Sequence, residues 1–203
     1  MAEKEIREQR NEHTNGKAKL ALANPTKFGM AGIGVALAML GFALAEVITL
    51  SSVVLATVLT MGFVAPIVAG ILEYVKGNSF RATTLVLFSL FFLSFYLFMT
   101  RTFNTIAPTA NSMGVFFIIW TVVNLLVMCG TMFKKMDIKM IMLHVILTLF
   151  ALFTLMFAVA QFTGSNPVLI TAGALALASA LCILVDFIMH ICERIKTEKK
   201  NKM

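Results

Sequence analysis

Charge is what this chain has least of. Asp, Glu, Lys and Arg make up 13% of its 203 residues, against 59% hydrophobic. A water-soluble domain of that length has too little interior to hide so much apolar surface, which excludes a soluble module. Cysteine is scarce as well. Cys129, Cys182 and Cys192 are odd in number, lie in or beside apolar runs and show no CxxC spacing, so neither a disulfide framework nor a metal site is expected. GxSxG, HExxH, a Walker loop and a dinucleotide fingerprint are all missing. Without them the chain reads as a non-enzyme with no cofactor.

Long apolar runs are what it does have. They cover roughly 28–49, 53–74, 80–100, 112–133, 138–161 and 166–191, and each is near the ~20 residues that cross a bilayer as a helix. In hydrocarbon such runs must be helical, because an open strand leaves backbone groups unpaired. The expected fold is an all-α integral membrane protein, a six-helix bundle over 23–195. A charged tail (1–22, helical through Glu3 to Glu12) precedes it and a basic tail (196–203) follows. More than twenty mostly polar residues stand before the first run, so no cleavable signal peptide is expected. All 17 Lys and Arg residues except Arg101 fall on one side of this arrangement. That asymmetry predicts cytoplasmic termini. The same asymmetry assigns the net charge of +7 to topology and lipid headgroups, not to nucleic acid.

Within the spans, Ala172, Ala176 and Ala180, Ala65 and Ala69, and Gly32 and Ala36 recur four apart, a spacing that lets helix backbones approach closely. Phe88, Phe91, Phe92 and Phe95 share one face of span three. That face meets lipid or a neighbouring helix, or it narrows a pore. Ionisable groups at membrane depth are costly and tend to be functional. Here they are Glu46, Glu73, His144 and the i, i+4 pair Asp186 and His190. Glu73 has Lys76 or Arg81 as candidate partners, and Asp186 has His190 or Arg194. Asn24 suits a helix N-cap and Pro25 a first turn. The start of span one is therefore a candidate anion-attracting mouth, with Lys27 adding a cation.

Two stretches carry a resemblance. "ANPTKFGMAG" (23–32) is similar to the Asn-Pro-x-Pro-Leu-Gly-Leu signature of the acetate uptake transporter family, which includes the succinate–acetate permeases and fungal ammonia/acetate-export relatives. "AGILEYVKGNSFRATT" (69–84) resembles that family's Ala-Gly-Leu-Leu-Glu … Gly-Asn-Thr-Phe-Gly-x-Thr stretch. Trp120, "CGT" (129–131) and "LFALF" (149–153) also fit. The matching motif residues include Gly29, Glu73, Gly77 and Asn78. The resemblance implies a ring-shaped homohexamer in the cell membrane. It also implies proton-coupled movement of acetate, and sometimes succinate, through each protomer. The family's hydrophobic constriction carries over to Ile33, Phe88 and Ile146. Three positions depart from its pattern: Lys27 replaces a Pro, Pro66 replaces a Gln, and Phe88 replaces a Tyr. Glu73 and His144 are the proton-linked candidates, with anchoring of the turn after span two as the other role for Glu73. The alternative function is a passive channel for small anions or neutral solutes such as urea.

Overall fold

The computed structural model describes residues 24–101, 108–132 and 138–201; the proposed tail helix at 3–12 lies outside them. Among the described residues six helices are long and apolar enough to cross a membrane. They are α1 (Pro25–Leu44), α2 (Ser52–Val75), α3 (Ser79–Met99), α4 (Ala110–Met132), α5 (Ile138–Thr163) and α6 (Asn166–Asn201). The chain is a multi-pass membrane protein. α1 packs along α6 and α2, α2 along α3, α4 along α5, and α5 along α6. α6 continues past the apolar stretch that ends at Glu193. Its last turns are rich in Lys and Glu, which are good helix formers, so the end of the membrane segment is not the end of the helix.

α1 stops where Glu46 adopts a left-handed conformation, φ 59°, and the N–H of Val47 bonds back to Phe42 O at 3.0 Å. α2 stops at a Schellman turn. The N–H of Asn78 bonds to Glu73 O at 3.0 Å and that of Gly77 to Tyr74 O at 2.9 Å. Gly77 holds φ +79°, which glycine tolerates without a Cβ clash.

α2 is not uniformly α-helical. Val58–Val64 widens into a π-helical segment, and the N–H of Ala65 reaches back five residues to Thr60 O. Pro66 explains the position. It lacks an N–H for Gly62 O, and its ring crowds that carbonyl; a wider turn relieves the crowding.

Small residues sit where helices meet. A Cβ on Gly32 would lie 2.5 Å from Met61 O, and one on Gly173 would lie 2.5 Å from Ala45 N. Ala172, Ala176 and Ala180 are fully buried on the same helix as Gly173. In lipid no hydrophobic drive holds helices together, so close van der Waals contact substitutes for it. Gly32→Ala and Gly173→Ala each push a methyl into backbone. Each is expected to cost about 1–3 kcal/mol, read as a lower unfolding midpoint in detergent. Gly130→Ala meets only the far edge of the Phe80 ring, at 3.0 Å, and is expected to cost less.

Candidate functional site: an anion-capped helix tip and an aromatic core

Asn24 occupies the N-cap position of α1, but its side chain makes no cap bond. Its backbone oxygen accepts from Lys27 N at 3.1 Å. The negative group at this tip belongs to Glu73. Its Oε1 accepts from Thr26 N at 3.2 Å and from Thr26 Oγ1 at 2.8 Å, while Oε2 accepts from Asn78 Nδ2 at 2.6 Å. Glu73 is 1% exposed. A buried carboxylate is tolerable only when its lone pairs are met, and a helix N-terminus favours negative charge. The residues bonded to Glu73 are thus Thr26 and Asn78, where the sequence pointed to Lys76 or Arg81. Asn78 holds both the carboxylate and the backbone carbonyl of Glu73, so the turn after α2 and the start of α1 are one assembly.

Lys27 does not stand as a lone cation. Its Nζ is paired with Asp186 Oδ2 across the α1–α6 interface. The two side chains are 20% and 14% exposed. Pro25 and Gly29 are buried beside them, with Gly29 against Ala69 and Leu85.

Beyond this end lies the core. Ile33, Phe88 and Ile146 are buried in one hydrophobic cluster, Phe88 at 8% exposure. Phe88 meets Phe150 edge-on, ring centroids 5.0 Å apart, and Phe91 touches Phe92, Phe117, Trp120 and Phe150. The phenylalanine face of α3 therefore points at α4 and α5, with edge-to-face contacts that aromatic quadrupoles favour.

A polar seam between α4 and α5 went unnoticed in the sequence. Thr121 and Thr154 share a hydroxyl contact at 2.8 Å, and Asn124 Nδ2 donates to Leu147 O at 2.6 Å. Asn124 Oδ1 has no partner among the described residues. His144 closes the seam. Its Nδ1 faces Met140 O at 2.7 Å and must carry a proton; its Nε2 lies 3.0 Å from Thr131 Oγ1. Thr131 also lies 2.6 Å from Met128 O. One hydroxyl proton serves two acceptors when the ring is neutral; a second ring proton satisfies all three contacts. The signal was available: Thr121, Asn124 and Thr131 fall on one α-helical face.

At the opposite end a cavity of about 210 Å³ opens between Ala110, Gln161, Gly164, Ser165 and Asn166. Beside it Asn166 Nδ2 donates to Glu46 Oε1 at 3.0 Å. Polar mouths thus flank an apolar, aromatic middle.

A model of the GPR1/FUN34/yaaH family matches residues 9–198. This chain belongs to that family. It is 30% identical over 174 residues, 83% of this chain and 90% of the relative, to the succinate-acetate/proton symporter SatP of Escherichia coli K12. A protein of Methanothermobacter thermautotrophicus is 29% identical over 160 residues, 74% of this chain and 76% of its own length. Among solved structures, that of the bacterial acetate channel SatP superposes with a TM-score of 0.77. Its sequence identity is 26%, with 85% of this chain and 94% of that chain covered.

Glu73→Ala strips the partners from the Thr26 and Asn78 donors. Each orphaned buried donor costs about 1–3 kcal/mol, so the detergent-solubilised variant is expected to unfold at markedly lower temperature. Glu73→Gln keeps an acceptor for Thr26 and is expected to lose less. A Gln variant that assembles normally yet transports without pH dependence would overturn an anchoring role for Glu73.

Proposed function

We propose that this protein moves acetate, and other small monocarboxylates or succinate, across the cell membrane together with protons, through a hydrophobic constriction within each protomer. The observation that carries the reading is the burial of Ile33, Phe88 and Ile146 in one aromatic cluster with polar groups at both ends. Relatives named as a succinate-acetate/proton symporter and as an acetate channel support it.

The chemistry is consistent. A small carboxylic acid with a pKa of about 4 to 5 is under a few per cent neutral at pH 7. The ion has no place in an apolar slot, so the site must collect the acid at a polar mouth and pass it as a nearly dehydrated, protonated solute. Dewetting keeps inorganic ions out. Lys and Arg asymmetry orients the α1 tip toward the cytoplasm, with both termini on that side of the plasma membrane. Six copies form a ring, each with its own path and with lipid at its outer faces. Exposed Ile119, Val122 and Leu126 of α4 supply apolar surface for a neighbouring copy or for lipid.

A passive channel is the second reading, favoured by the solved relative described as a channel. Accumulation separates the two. Proteoliposomes with an inward proton gradient are expected to concentrate labelled acetate above its outside level; uptake that stops at equal concentration would establish the channel.

Phe88→Ala is expected to widen the accepted acids toward lactate, measured as competition against labelled acetate. An unchanged substrate range would remove Phe88 from the constriction.

A further inference from the structure

The Lys27–Asp186 pair requires a reason. Ionised side chains are rare within spans. A buried ion pair is also weak ground for stability, because apolar side chains of similar volume often do as well. Lys27 stands two residues into α1, beside the tip that Glu73 already fills. An incoming carboxylate therefore finds the helix N–H group occupied. The nearest cation is Lys27, and it too has a carboxylate on it.

The geometry points to Asp186 as a stand-in for the substrate. We propose that one proton on Asp186 releases the Lys27 ammonium to one substrate carboxylate, so that proton and anion are taken up as an electroneutral pair. This rests on the transport reading above and names its coupling residues. The exchange balances: Lys27-NH3+ paired with Asp186-COO−, plus H+ and RCOO−, becomes Lys27-NH3+ paired with RCOO−, plus Asp186-COOH. An O–H bond forms at Asp186, one ion pair is traded for another, and the net charge of the site is unchanged. The ammonium is never left without an anion, which a low-dielectric site would penalise. At 20% and 14% exposure the pair is reached by water without being open to it.

Other titratable groups on the packed helices have different engagements. Glu73 on α2 is held by Thr26 and Asn78, and His144 on α5 by Met140 and Thr131. Lys76, at the end of α2, and Arg81 on α3 are exposed. His190 and Glu193, farther along α6, each have an interaction of their own. Asp186 and Lys27 are the two that answer each other across α1 and α6.

The test uses the full chain in proteoliposomes with labelled acetate, with pH gradient and membrane potential imposed separately. Wild-type uptake is expected to follow the proton gradient and to ignore the potential. Asp186→Asn leaves Lys27 free at every pH. It is expected to lose gradient-driven accumulation, to become sensitive to the potential, and to bind acetate at pH 7 at least about tenfold more tightly, a gain of the size one ion contact supplies. Asp186→Glu is expected to restore gradient-driven uptake. If Asp186→Asn does not assemble, the charge-free pair Lys27→Met with Asp186→Leu carries the test, and it too is expected to lose accumulation. Full gradient-driven, potential-insensitive uptake by either variant would overturn the proposal. No acetate flux in the wild type would overturn the transport reading itself.

Discussion

A carboxylate at the tip of α1 organises one end of this bundle. Glu73 comes from α2, bonds the first turn of α1 through Thr26, and is clasped by Asn78 at the start of α3. One side chain thereby fixes three helices to each other at the point where unpaired N–H groups would otherwise face lipid headgroups or water. The Schellman turn at Gly77 makes the arrangement possible, because it folds Asn78 back over the end of α2. Gly29, two turns of contact away, lets α1 lie directly on Ala69 and Pro66. The motif residues Asn24, Pro25, Gly29, Glu73, Gly77 and Asn78 are parts of one joint, not separate contacts with a ligand.

Electrostatics at the same end follow from that joint. A helix tip with its anion already in place repels a second one. Lys27 lies close enough to compensate, yet its charge is spent on Asp186. The site is thus neutral in total while holding two positive and two negative elements: the helix tip and Lys27, Glu73 and Asp186. Such a site attracts no carboxylate by net charge. It admits one only by exchange, which ties anion entry to protonation of a carboxylate already there.

Much of the fold was legible in the sequence because lipid leaves few options. Six apolar runs, short links and one-sided Lys and Arg become α1 to α6 within a few residues of the expected ends. The inward face of Phe88, Phe91, Phe92 and Phe95 was legible as a stripe but not as an interior, since an aromatic row looks the same toward lipid as toward α5. The π-helical segment before Pro66 left no periodicity to read. Partners were the least legible. Nothing local in "NPTKFG" points to Asp186, 159 positions away; only the packing of α1 on α6 brings the two together. Glu73 misled for the opposite reason, because nearby Lys76 and Arg81 offered charge where the fold supplied Thr26 and Asn78.

The apolar middle then decides what form of the acid can cross. Protonating a carboxylic acid of pKa about 4.5 at pH 7 costs about 3 to 4 kcal/mol at 1.36 kcal/mol per unit. Carrying the ion bare through a medium like that around Phe88 and Phe150 costs several kcal/mol even after relaxation, and of order 20 in the idealised limit. The neutral route is the cheaper one unless polar groups line the whole path. The Thr121, Asn124 and His144 seam lines only one side, between α4 and α5. Replacing a hydroxyl with hydrogen at the Phe88 position shifts the balance further toward the neutral acid. Selectivity here is therefore a matter of size and proton occupancy, with the charged mouth setting when a molecule enters and the aromatic core setting what can follow it.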